Sequence, residues 1–149
     1  MTSGMTQPEP SFDIVDYAPE EHQNFILDSW LKSYKLTRLA KYSARDDYYP
    51  IQQAIIKAIL QEATVKMALS DGAFIGYIVA EDDCLHYLYV KHALRRFGVA
   101  TRLLGEFPEL QCYSPYLDTH WKNQWLHHKR KLGFSYYRCL APLFRECVE

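Results

Sequence analysis

The sequence carries almost no net charge: its 149 residues sum to −1 at neutral pH. Affinity for a phosphate backbone usually needs a net basic surface, so this balance argues against nucleic acid as a partner while leaving room for a local basic patch. No apolar run is long enough to cross a membrane, and the opening MTSGMTQPEP has neither the basic nor the apolar region of a signal peptide. Residues 1–10 read instead as a flexible leader, and 11–149 as one domain without internal repeat, low-complexity tract or linker. The four cysteines, Cys84, Cys112, Cys139 and Cys147, form no CxxC pair and have no histidine at zinc spacing. They read as reduced, mostly buried thiols of a cytoplasmic protein, and no metal site is expected. What is present is a hydrophobic fraction of 48%, enough for a sizeable core, beside a charged fraction of 23% that excludes global disorder.

Periodicity divides the chain into alternating elements. Residues 11–17 form a first strand. Pro19-Glu20-Glu21 then opens a helix, because proline suits the first turn and acids favour its positive end. Leu27, Trp30, Leu31 and Tyr34 mark its buried face. A polar stretch, Lys41–Asp47, leads to a second helix with Ile51, Ala54, Ile55, Ala58 and Ile59 as its apolar stripe. Strands follow at Thr64–Leu69, Ala73–Ala80 and Cys84–Val90, separated by the turn signals Asp71-Gly72 and Asp82-Asp83. A helix at Gly98–Phe107, a strand at Gln111–Leu117, a helix at Trp121–Leu132 and a strand at Phe134–Leu140 complete the order β-α-α-β-β-β-α-β-α-β. An antiparallel meander running into a βαβ unit makes the class α/β, with an α+β type of mixed sheet.

The segment after Val90 points to chemistry. A strand ends in a basic loop, Lys91-His92-Ala93-Leu94, and the turn Arg95-Arg96-Phe97-Gly98-Val99-Ala100 opens the next helix. The first amides of a helix lack intrahelical acceptors and attract anions. Gly98 and Ala100 let a phosphate approach the backbone, and Lys91, Arg95, Arg96 and Arg102 add positive potential. By itself such a turn is equally consistent with an ordinary strand–helix junction.

Its surroundings resemble those of the Gcn5-related N-acetyltransferases (GNAT). Tyr89-Val90 closes the strand, Arg95, Gly98 and Ala100 fill an R/Q-x-x-G-x-G/A pattern, and Leu103-Leu104 match the apolar pair that follows. Lys131-Leu132-Gly133-Phe134 resembles the family's second landmark, and the Asp71-Gly72 hairpin with Phe74-Ile75-Gly76-Tyr77 is similar to its second and third strands. The likeness runs from Phe12 to Leu140. It implies a GNAT fold with acetyl-CoA as cosubstrate. The amides of Arg96, Phe97, Gly98, Val99, Ala100 and Thr101, beside Arg95, would cradle the pyrophosphate. The backbone of Leu88, Tyr89 and Val90 would pair with the pantetheine arm, which would enter where the strand Cys84–Val90 splays from the strand Gln111–Leu117.

The resemblance also frames the catalytic candidates. Acetyl transfer to an amine needs a base, donors for the carbonyl oxygen and an acid for the thiolate. Alternation back from Val90 puts Leu88, His86 and Cys84 on one strand face. The family's glutamate position holds Cys84, whereas His86 matches the histidine of the arylalkylamine acetyltransferases and has a suitable pKa. His86 is therefore the candidate base. The family's tyrosine acid is replaced by Lys129; Tyr113 and Tyr116 could supply a phenol instead. The family's asparagine falls one place from Asn123, which is assigned to cofactor binding.

The remaining features favour plainer readings. The Lys122–Lys131 segment makes a solvated basic face, Trp121, Trp125, His128 and Leu132 make a core stripe, and adjacent His127 and His128 diverge too far for a metal pair. Tyr42, Tyr48 and Tyr49 fall where the family shapes its acceptor pocket, which implies an aromatic or apolar cleft. The expectation is an acetyl-CoA-dependent N-acetyltransferase that passes an acetyl group directly to a primary amine of a small molecule or protein, compatible with a homodimer. The alternative is a catalytically inactive interaction protein of the same fold, with or without CoA.

Overall fold

Ala18 prepares the first helix, α1 (Pro19–Ser33). Its carbonyl accepts from the Glu21 and His22 amides, and its own amide donates to His22 Nδ1 at 2.8 Å. Pro19 then occupies the first turn with Glu20 and Glu21, as anticipated for the positive end of a helix. The computed structural model describes residues 11–33, 45–95, 97–114 and 132–134. Within these, the order is β1 (Asp13–Asp16), α1, α2 (Arg45–Glu62), β2 (Thr64–Ser70), β3 (Ala73–Glu81), β4 (Cys84–Val90), a 3-10 turn (His92–Leu94), α3 (Val99–Gly105), β5 (Cys112–Tyr113) and β6 (Gly133–Phe134). The expected helix over 121–131, residues 1–10 and the outer parts of the last two expected strands lie outside the described residues.

The strands form one sheet in sequential order, β1 to β6. β1 to β4 pair antiparallel, and β4–β5 and β5–β6 pair parallel, so the sheet is mixed as expected. Asp71 and Gly72 both take positive φ, 51° and 79°, and make the tight turn between β2 and β3. Lys66 and Asp16 form an ion pair across β1 and β2.

Residues Ile75–Glu81 of β3 are buried without a break, which requires cover on both sheet faces. α1 covers the face of Tyr77, Tyr87 and Tyr89. Trp30, fully buried, stacks on Tyr87 with ring centroids 4.4 Å apart, and Phe25 meets Tyr77 and Tyr89 edge-on at 6.0 Å. Ser29 Oγ and Tyr77 OH share a hydrogen bond of 2.8 Å beneath them. α3 packs on β2, β3 and β4 from the other side, burying Val99, Leu103 and Leu104.

Three boundaries differ from the sequence reading. Arg45–Asp47, expected in a connecting stretch, already belong to α2. The buried face of α2 is Ile56, Ile59 and Leu60, while Ile51 is 56% exposed. Isoleucines at 51, 55, 56 and 59 offer two overlapping stripes about 100° apart, and packing on α1 selects the later one. α3 is seven residues long, because the Glu106 amide turns back to the Leu103 carbonyl and ends the helix before Phe107.

Candidate functional site at the junction of β4 and β5

The parallel ladder between β4 and β5 consists, among the described residues, of Cys84 opposite Cys112 and Leu85 opposite Tyr113. The Ser114 amide adds one further bond, to the Leu85 carbonyl at 2.9 Å. β4 itself continues to Val90. Beside these rungs sits His86, 1% exposed, with Nδ1 3.0 Å from the Ser114 hydroxyl, which is fully buried.

The register explains how His86 comes to lie there and corrects one expectation. Tyr87 pairs with Val79 and Leu85 with Ala80, so His86 is an additional residue in β4, a β-bulge. Cross-strand partners share a face. Cys84, opposite Glu81, therefore lies on the face of Tyr87, and Leu88, opposite Ile78, lies on the other. Leu88, His86 and Cys84 do not line one face, because the bulge breaks the alternation that strict counting assumed. Ser114 was not singled out from sequence, which placed it within the expected strand Gln111–Leu117.

The other end of β4 carries the turn. The Lys91 amide donates to the Ile75 carbonyl at 2.8 Å, and the 3-10 turn His92–Leu94 leads to Gly98, which caps α3 with φ 82°. A side chain at that φ is strained, which accounts for glycine, and a Cβ there would meet nothing within 4 Å. The backbone at Gly98 is thus open to a ligand. Phe97 and Thr101 are exposed, Ala100 is half-buried and Val99 is turned into the core. Of the expected cations, Arg102 is committed elsewhere: it donates to the Phe12 carbonyl at 2.9 Å and lies 4.7 Å over the Phe12 ring. Arg95 folds back on β4, with Nε donating to the Val90 carbonyl at 3.2 Å and a second nitrogen 3.3 Å from His92 Nδ1. From His86 to Val90 the strand covers about 13 Å, at roughly 3.3 Å per residue, which sets the distance between the His86–Ser114 contact and the turn.

Arg95 also borders a cleft of about 490 Å³ between α1 and the end of β4, lined by Phe25, Asp28, Ser29, Lys32, Ser33, Tyr87, Tyr89 and Arg95. Asp28 and Lys32 pair at 3.0 Å on its rim. Burial pushes the Tyr87 phenol well above its ordinary range, opposed weakly by the Ser33 hydroxyl beside it. An aromatic cleft was expected from Tyr42, Tyr48 and Tyr49. Tyr42 and the side chains of Tyr48 and Tyr49 lie outside what is described; the described aromatic walls are Phe25, Tyr87 and Tyr89.

Tyr113 is half-buried on β5, one rung from the His86–Ser114 contact. Arg96, Tyr116, Asn123 and Lys129 lie outside the described residues. Among the described residues, no group of three His, Cys, Asp or Glu side chains could hold a metal, and no helix is long and apolar enough to cross a membrane.

No family model matches the chain, and no curated protein matches it. Solved structures do. A GCN5-related N-acetyltransferase from Rhodopseudomonas palustris superposes with a TM-score of 0.50 at 15% identity, over 95% of this chain and 83% of that one. A ribosomal-protein-alanine N-acetyltransferase from Brucella melitensis biovar Abortus 2308 gives 0.44 at 17% identity, over 83% and 78%. The aminoglycoside N-acetyltransferase AAC(6')-Iy, in complex with CoA, gives 0.46 at 20% identity, over 82% and 88%. With near-complete coverage by the Rhodopseudomonas structure and a mixed sheet whose parallel half begins at β4, the chain has the fold of the GCN5-related N-acetyltransferases.

Proposed function

We propose that this chain is an acetyl-CoA-dependent N-acetyltransferase, acting by direct transfer to a primary amine in a reducing, cytoplasmic setting. The observation that carries the reading is the course of β4 from the His86–Ser114 contact to the 3-10 turn that leads to the open backbone at Gly98. An extended ligand with amide groups and a terminal diphosphate is complementary to that course: its amides would pair along Leu88–Val90 and its phosphates would meet the 97–101 backbone. Arg96 and Asn123 complete the proposed cofactor contacts. The cleft between α1 and β4 is the acceptor site in this reading, with Phe25, Tyr87 and Tyr89 against the apolar part of the amine.

The acetyl thioester supplies the acyl group. The attacking nitrogen must shed a proton, and His86 is the base that takes it, with Ser114 fixing the ring. Tyr113 and Lys129 are the candidates for protonating the departing thiolate. A catalytically silent protein of this fold is the second reading, favoured by the burial of His86 to 1% exposure.

Titration calorimetry with acetyl-CoA tests the cofactor, and release of free thiol across a panel of amines tests turnover. Thr101 is exposed on the turn. Thr101→Glu should weaken CoA binding at least about tenfold, roughly 1.4 kcal/mol, through like charge against the phosphates. Undiminished affinity would put the phosphates elsewhere. His86→Ala should lower kcat while CoA affinity holds; equal turnover would remove His86 from the chemistry. CoA binding with no turnover on any amine would establish the silent reading.

A further inference from the structure

Cys84 and Cys112 face each other across the β4–β5 seam as register partners, and both are thiols. Neighbouring strands lie about 4.8 Å apart, inside the span of about 4.4–6.8 Å between Cα atoms that a disulfide bridges. Register partners in a parallel pair project to the same sheet face. Both sulfurs also reach the same short stretch of β4 backbone: Cys112 Sγ is 3.7 Å from the Asp83 carbonyl and Cys84 Sγ is 4.0 Å from the Leu85 carbonyl. Cys84 is 1% exposed, whereas Cys112 is half-buried, so an oxidant reaches Cys112 first.

We infer that Cys84 and Cys112 form a reversible thiol–disulfide site that staples the antiparallel half of the sheet to its parallel half under peroxide. The reaction has two steps. The Cys112 thiol takes one oxygen from hydrogen peroxide, giving a sulfenic acid and water. The Cys84 sulfur then attacks the Cys112 sulfur; the S–O bond breaks, and the hydroxyl leaves with the Cys84 proton as a second water. Two thiols lose two electrons and the peroxide gains them. The backbone already holds the partners in place: the amides of Gln111 and Cys112 donate to the Asp83 carbonyl at 2.8 and 3.2 Å, and the Ser114 amide donates to Leu85. Thiol–disulfide exchange with a reduced thiol reverses the bond, so the site is a switch and not a permanent crosslink. The inference stands on the seam alone and does not depend on CoA binding.

The test treats the full chain with hydrogen peroxide, maps its peptides without reduction, and follows amide exchange at Cys112 and Ser114. The expected result is one linkage, Cys84 to Cys112, with loss of two hydrogens in mass, slower exchange of both amides and full reversal by dithiothreitol. Cys84→Ala should leave Cys112 as a sulfenic acid that dimedone traps. Linkage to Cys139 or Cys147 instead, sulfinic acid on Cys112 with Cys84 still a thiol, or a bond that leaves the two amides exchanging as before would each overturn it.

Discussion

Tyr87 has a buried phenol whose environment disfavours its anion. It is 1% exposed and pressed against Trp30, and desolvation raises its pKa above the ordinary 10.0. The folded protein therefore holds this proton to higher pH than the unfolded chain does. Its contribution to stability is complete below about pH 10 and is lost as pH climbs further, because the unfolded state ionises first. Tyr87→Phe should keep the stack on Trp30 and flatten that alkaline loss, leaving the slopes due to Tyr17, whose phenol burial also raises, and to Lys66, which its hydrogen bond to Asp16 holds protonated to higher pH. Urea midpoints at about pH 9 and about pH 11 check this; parallel declines in both proteins would show that Tyr87 does not set the slope. At this scale the sequence was weak about position. His86 was proposed from its spacing from Val90, and its strand face was misjudged, since a β-bulge has no signature in a run such as Cys84-Leu85-His86-Tyr87.

Among the elements, β3 and β4 leave no room for a side chain at Gly76. A Cβ there would lie 2.5 Å from the Tyr89 carbonyl oxygen, a backbone atom that cannot rotate away. Gly76→Ala should push β4 outward and cost about 1–3 kcal/mol, as overpacked sites do. Chemical denaturation measures it, and a cost under about 0.5 kcal/mol, the scale of an inert surface change, would mean that the strands yield freely. The same substitution displaces the strand that the cofactor is proposed to follow, so CoA affinity should fall with stability. Hairpins were the most legible elements: Asp71-Gly72 and Asp82-Asp83 place their turns between runs of β-forming residues, and β2, β3 and β4 lie within a residue of their expected bounds. Helices were less so. In α2 two stripes overlap, and only contact with α1 decides between Ile51 outside and Ile56 inside. The cleft was legible in kind alone, since Phe25, Tyr87 and Tyr89 meet across helix and strand and share no spacing.

For the whole molecule, element order gave the class, an antiparallel meander followed by βαβ, and the motifs at Arg95–Ala100 and Lys131–Phe134 supplied the likeness that pointed to the fold. What order could not supply was the register, which sets Cys84 against Cys112 and Leu85 against Tyr113. The connections have a consequence in time. β2, β3 and β4 are joined by tight turns, so their pairing closes small loops. β5 and β6 join only after long crossovers, and their loop-closure entropy must be overcome before their pairing repays it. During refolding, pulse-labelled amides of β3 should gain protection before those of Cys112, Ser114 and Gly133, and simultaneous protection would contradict this order. A nascent chain would then acquire its aromatic cleft wall first and its parallel seam last, so the proposed binding course would become complete only with the final closure.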